Sequence, residues 1–234
     1  MPWFRSTLFF LLFGLFSAGC QSSGEQVSDT AQSAPSPSAS STDSAASDKV
    51  ILFFGNSLTA GYGLEPSEAF PALIQQRLDS LGYDYQTVNA GLSGETTASG
   101  KTRLDWVLER QPVDVFVLEL GANDGLRGIE PTETRRNLEE IIEQVRAANP
   151  NVTIVLAGMM VPPNMGDAYA SRFQKIFPEV ADAKDVMLIP FLLQDVAGES
   201  DLNQADGIHP TAEGQKIVAD NVWKVLQSVL EPTS

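Results

Sequence analysis

Residues 50–61 read Val-Ile-Leu-Phe-Phe-Gly-Asn-Ser-Leu-Thr-Ala-Gly, an unbroken apolar run that passes directly into a loop bracketed by Gly55 and Gly61. A run without apolar–polar alternation predicts a strand buried on both faces, as in a parallel sheet covered by helices. Four more β-type runs follow, at Tyr85–Asn89, Val113–Leu120, Val152–Ala157 and Val186–Ile189. Helical patterns lie between or after them, at Glu68–Leu81, Ser99–Arg110, Thr132–Ala148, Tyr169–Ala183 and Thr211–Leu230. Strand–helix alternation of this kind predicts a three-layer α/β/α sandwich around a central parallel sheet, with right-handed crossovers. The domain is expected to span residues 48–234, without internal repeats.

In open α/β sheets, ligands bind beyond the carboxyl ends of the strands. The unusual loops fall there. Gly55–Gly61 follows the first strand, Asn89–Thr96 the second and Gly121–Gly125 the third, while Asp206-Gly207-Ile208-His209-Pro210 precedes the last helix. His209 is the single histidine, and imidazole is the side chain whose ordinary pKa suits general-base work near neutrality. Asp206 stands three residues before it, with Gly207 permitting a tight turn. That turn sets a carboxylate against one ring nitrogen and leaves the other for a nucleophile; alone, the pattern is also that of a surface turn with an incidental histidine. Ser57 sits where a sharp glycine-flanked turn exposes a hydroxyl, although a helix cap or a plain turn would also use a serine. Acyl hydrolysis needs donors for the oxyanion. Gly91 offers an unobstructed N–H and Asn123 a side-chain amide, each with a plain turn role as its alternative. The Gly-x-Ser-x-Gly elbow of α/β-hydrolases is absent, and a single histidine with a single cysteine leaves no zinc set.

The chain carries 15 Lys+Arg against 30 Asp+Glu, a formal net charge of −15. Such a surface repels nucleic acid and anionic lipid, so no nucleic-acid partner is expected. Residues 1–19 hold one charge, Arg5, then an apolar run Leu8–Phe16 and the small residues Ser17, Ala18 and Gly19. That order predicts a secretory signal peptide, and the run is too short to span a bilayer. Its loss would leave a net charge of −16, since Arg5 is its only charge. Cys20, the single cysteine, follows directly and has no partner for an internal disulfide. From Gln21 to Ser47 the composition turns to Ser, Ala, Pro, Thr and Gln with no aromatics. Such a segment buries too little apolar surface to offset its ordering entropy, and is expected to act as a tether.

Ser57, Gly91, Asn123 and His209 occur in the order and loop context of the SGNH hydrolases, the GDSL lipase/esterase superfamily. From Lys49 to Val229 the chain resembles the bacterial thioesterase/lysophospholipase/arylesterase branch. The strings Glu119–Gly128 and Asp206–Pro210 carry most of the likeness. One position departs: Asn56 stands where the family's name places Asp. The resemblance implies a flavodoxin-like α/β/α fold and hydrolysis through an acyl-enzyme. Ser57 would attack, His209 would act as base and then acid, and Asp206 would orient the ring. The N–H groups of Ser57 and Gly91 and the Asn123 amide would hold the oxyanion. No cofactor and no metal are implied. The implied substrates are acyl esters or thioesters, including lysophospholipids and short aryl esters. A carbohydrate O-acetylesterase of the same fold is the alternative, and a non-catalytic binding lipoprotein the third reading. Leu58, Leu126, Ile129, Met159, Met160 and residues 162–165 fall near the expected site; they favour an acyl chain over a sugar, or else belong to the core. The string Ser17-Ala18-Gly19-Cys20 resembles a bacterial lipoprotein processing site, except that Ser17 replaces the usual Leu. This implies a lipidated Cys20 and an exported, envelope-anchored protein, expected to be a monomer.

Overall fold

The computed structural model of the chain describes residues 49–231. The expected signal peptide, Cys20 and the tether to residue 47 lie outside the described residues, as do residues 232–234. Five parallel strands form one sheet: β1 (Lys49–Gly55), β2 (Tyr85–Gly91), β3 (Val115–Glu119), β4 (Thr153–Ala157) and β5 (Met187–Ile189). Their order is β2-β1-β3-β4-β5, the flavodoxin-like arrangement, in which the chain reverses direction across the sheet between β1 and β3. The helices are α1 (Ser57–Ala60), α2 (Phe70–Leu81), α3 (Thr97–Leu108), α4 (Ala122–Leu126), α5 (Pro131–Ala148), α6 (Asp167–Lys184) and α7 (Ala212–Leu226). Among the longer helices, α2 packs on α7, while α5 packs on both α3 and α6. The three-layer α/β/α reading therefore holds.

Burial on both faces is realised in the interior strands. Ile51, Leu52, Phe53 and Phe54 of β1, Val115 to Leu118 of β3, and Ile154 to Ala157 of β4 are all buried. The edge strands depart from the expectation. β2 has only Tyr85 buried, and β5 only Ile189, because an edge strand has one covered flank and can carry Gln86 toward water. Helix ends also move. Thr96 caps α3 by accepting the Ser99 N–H on its side chain, which starts that helix at Thr97 rather than Ser99. The 66–68 stretch forms a 3₁₀ turn, so α2 begins at Phe70 rather than Glu68. α7 ends at Leu226 rather than Leu230. Two short helices, α1 and α4, have no counterpart in the expected set.

The register prepares the site. Gly55 of β1 lies opposite Gly91 of β2 on one side and Glu119 of β3 on the other. Three loops therefore leave the sheet at one level, beside the point where strand order reverses.

Candidate active site

Ser57 is the first residue of α1. Asn56 caps that helix by accepting the Leu58 N–H on its side chain (2.9 Å), and Gly61 closes it in the left-handed region (φ 72°). A four-residue helix between two such caps is a tight turn in effect, and it leaves Ser57 9% exposed. Gly91 lies against this turn so closely that a Cβ there would collide with the Ala60 backbone nitrogen. Asn89 ties the two loops together by donating its amide to the Thr59 carbonyl (2.8 Å).

The single histidine arrives from a different part of the chain. Residues 203–210 form a small hairpin: Asn203 bridges to Pro210, and the Gln204 N–H donates to the His209 carbonyl (2.7 Å). Gly207 takes φ 68° at its tip, where a side chain would be strained. The Gln204 amide donates to the Tyr62 carbonyl (2.7 Å) and the Pro210 carbonyl (3.0 Å), latching the hairpin to the loop that follows α1. The Tyr62 ring lies 4.6 Å from the His209 ring, centroid to centroid. In this setting His209 Nε2 is 2.9 Å from Ser57 Oγ, and Nδ1 is 2.6 Å from Asp206 Oδ2. Asp206 Oδ1 accepts the N–H groups of Ile208 (2.9 Å) and His209 (3.0 Å). Those bonds, the backbone and ring of His209 first, hold the Asp206 carboxyl down at about 2. It is an anion at any working pH, aimed at one nitrogen of a ring whose other nitrogen meets a serine hydroxyl. This is the geometry of a Ser–His–Asp relay.

The sheet brings the remaining expected residues to the same end. Asn123 lies in α4, one residue beyond the positive-φ Gly121 cap (φ 115°) and Ala122. One Asn123 amide N–H donates to the Glu95 carbonyl (3.0 Å), which fixes the side chain and leaves a second amide hydrogen. The Gly91 N–H donates to Asn89 Oδ1 (3.0 Å), so an oxyanion would have to share or displace that acceptor. Ser93, in the same glycine-containing loop, is exposed, and the histidine pairs with Ser57 instead. Among the apolar residues expected nearby, Leu58 and Met159 are core, whereas Leu126 and Met160 are exposed. Among the described residues no group of three or more His, Cys, Asp or Glu could hold a metal ion.

Two buried acids that organise the site lie in the Glu119–Gly128 string, yet the sequence pattern assigns neither of them a role. Glu119 is 1% exposed, and burial pushes its carboxyl up to about 7 against the donors of Thr59 and Asn56. Asp124 is fully buried beside Asn123, accepting the N–H and hydroxyl of Thr97 (2.9 and 2.5 Å). Burial raises its pKa as well. A charged residue next to the end of the apolar run Val113–Leu120 is the physical hint for Glu119, since buried acids are rare without a set of partners.

Residues 53–217, which contain every residue of this arrangement, match the GDSL-like lipase/acylhydrolase family. The chain belongs to that family. It is a serine hydrolase acting on ester bonds. Esterase TesA of Pseudomonas aeruginosa is 40% identical over 185 residues, covering 79% of this chain and 91% of that protein. Thioesterase 1/protease 1/lysophospholipase L1 of Escherichia coli is 37% identical over 190 residues, covering 81% and 89%. A crystal structure of TesA superposes with a TM-score of 0.75 at 39% identity, over 78% of this chain and 100% of the other. This GDSL-family chain keeps its Ser–His–Asp geometry with an amide, Asn56, beside the serine.

Proposed function

We propose that Ser57, His209 and Asp206 carry the hydrolysis, and that the substrates are acyl esters or thioesters, lysophospholipids and short aryl esters among them. The observation that carries this reading is the unbroken chain from Asp206 Oδ2 through the two ring nitrogens of His209 to Ser57 Oγ. His209 Nε2 takes the hydroxyl proton as Ser57 Oγ bonds to the acyl carbon. The carbonyl electron pair moves onto oxygen, where the N–H groups of Ser57 and Gly91 and the free hydrogen of the Asn123 amide receive it. Collapse of the tetrahedral adduct expels the alcohol or thiol, which leaves with the proton from His209. Water then repeats the sequence on the acyl-enzyme, with His209 again as base, and the acid departs. Leu126 and Met160, exposed beyond the ends of β3 and β4, are apolar surface suited to an acyl chain.

The residues ahead of the domain complete the proposal. The order charge, apolar run, small residues, cysteine in residues 1–20 supports export followed by acylation of Cys20, with residues 21–47 as the tether and the hydrolase domain beginning at residue 48. An active-site-directed fluorophosphonate tests the centre. It should label Ser57 in the native protein and leave Ser57→Ala unlabelled and inactive on an ester panel. Label on Ser93, or turnover by Ser57→Ala, would overturn the assignment.

A further inference from the structure

Arg103 stands on the second turn of α3 with its guanidinium turned inward. Nε donates to Glu95 Oε1 (2.7 Å) and Nη2 to Glu95 Oε2, so the two groups meet fork to fork. Nη2 also donates to the Ala90 carbonyl (2.9 Å), near the end of β2. The guanidinium carbon lies 4.3 Å from the centroid of the Phe54 ring, on β1. Gly100 lets α3 approach this closely: a Cβ there would come within 2.4 Å of Leu120 Cδ1 and 3.2 Å of the Phe54 ring. The Glu95 side chain is 1% exposed, so its carboxylate is out of water and is answered by Arg103. Residue 95 is thereby held twice. Its carboxylate sits on Arg103, and its main-chain carbonyl accepts the Asn123 amide (3.0 Å).

We propose that Arg103 is a positioning residue for the oxyanion hole, acting on Asn123 through Glu95. The inference rests on Asn123 being an oxyanion donor. One amide hydrogen of Asn123 is committed to the Glu95 carbonyl, and that bond aims the other. The place of the carbonyl is set by the loop from Ala90 to Glu95. Arg103 fixes this loop at both ends, Ala90 by its carbonyl and Glu95 by its carboxylate. Lysine cannot do the same. Its ammonium is a single point and cannot span two carboxylate oxygens and a carbonyl from a plane laid over Phe54. Without the fork, a buried carboxylate is left short of partners and is drawn toward water. The Glu95 end of the loop then turns outward, and its carbonyl leaves the position that orients Asn123. The loss falls on the transition state, because charge reaches the carbonyl oxygen only once the acyl carbon is attacked. Ester binding precedes that charge and is spared.

The test uses the full-length protein carrying Arg103→Lys or the apolar pair Glu95→Met/Arg103→Met, which leaves no buried charge behind. Each is made with and without Asn123→Ala. The readouts are the thermal transition, kcat and KM on a soluble ester, and the rate of fluorophosphonate labelling. Arg103→Lys should lower kcat and labelling about 10- to 100-fold, with KM within about threefold of native. The apolar pair should lose as much, even with its thermal transition restored to native. In the Asn123→Ala background, either change should cost less than about threefold in kcat, because the amide that Arg103 positions is gone. Losses that multiply would place the action of Arg103 elsewhere and overturn the proposal, as would native kcat in Arg103→Lys or in the apolar pair. Should Arg103→Lys not fold, the apolar pair carries the same comparison. Failure of both to fold would make the pair a folding element alone and overturn the proposal too. Native turnover by Asn123→Ala would mark failure of the oxyanion assignment itself, independently of the Arg103 variants.

Discussion

Asp206 commits both carboxylate oxygens to the hairpin that presents His209, one to the backbone and one to the ring. Its folded pKa of about 2 lies below the ordinary 3.8. Its contribution to stability is therefore present above about 3.8 and is lost only as pH falls through about 2. Asp206 consequently stays charged through any practical assay range. His209→Gln and Asp206→Asn should each reduce kcat by about 10⁴-fold with the thermal transition retained; near-native turnover in His209→Gln would refute the relay. Asn123→Ala should cost about 10²–10³ in kcat, as loss of one oxyanion donor does. Glu119 has the opposite linkage sign. Its pKa is raised from 4.5 to about 7, so its contribution to stability is complete below about 4.5 and is lost as pH rises through about 7. The Tm advantage of native protein over Glu119→Gln should shrink between those pH values. A constant difference would show that the buried carboxyl does not titrate there.

At the scale of elements, the site depends on two helices too short to show a period. α1 and α4 occupy four and five residues, less than the span over which apolar recurrence can be recognised, so their sequences read as turns. α1 is capped by Asn56 and Gly61 and braced by Glu119, and α4 is tied to the start of α3 by Asp124, which accepts from Thr97. Gly91→Ala tests this packing. The new methyl would press on the Ala60 backbone, displacing α1 and with it Ser57, so kcat should fall about tenfold or more with a lowered Tm. Native kcat would show that the loops do not need this close approach. The interior strands are legible in the sequence because Val50–Phe54 and Val115–Leu118 are apolar on both faces. Ser57, Asp206 and His209 are legible because a lone histidine with an acid three residues before it carries a chemical meaning. Glu119, Asn89 and Gln204 are not. Their work is to accept from or donate to the backbone of other segments, and that is fixed by register rather than by local pattern.

For the whole molecule, the proposed anchor and tether make separable claims. Removing residues 1–47 should leave kcat/KM and Tm unchanged, since the strand register and every residue of the site lie beyond them; a drop in either would give the segment a structural role. Cys20→Ser should move the protein from the membrane fraction to the soluble one at native specific activity, and mass spectrometry should find acyl groups on native Cys20 alone. Fully soluble native protein would refute the anchor. The latch of Gln204 onto Tyr62 has a consequence for biosynthesis. Ser57 and its base stand 152 positions apart, with the base supplied by the hairpin just before the last helix. A chain emerging from its amino end holds the proposed nucleophile, Ser57, early and lacks the proposed base, His209, until nearly all of it has been made. On the proposed relay, nascent or carboxyl-clipped copies should be inert toward esters, and hydrolysis should begin only when the final hairpin docks onto the loop after α1.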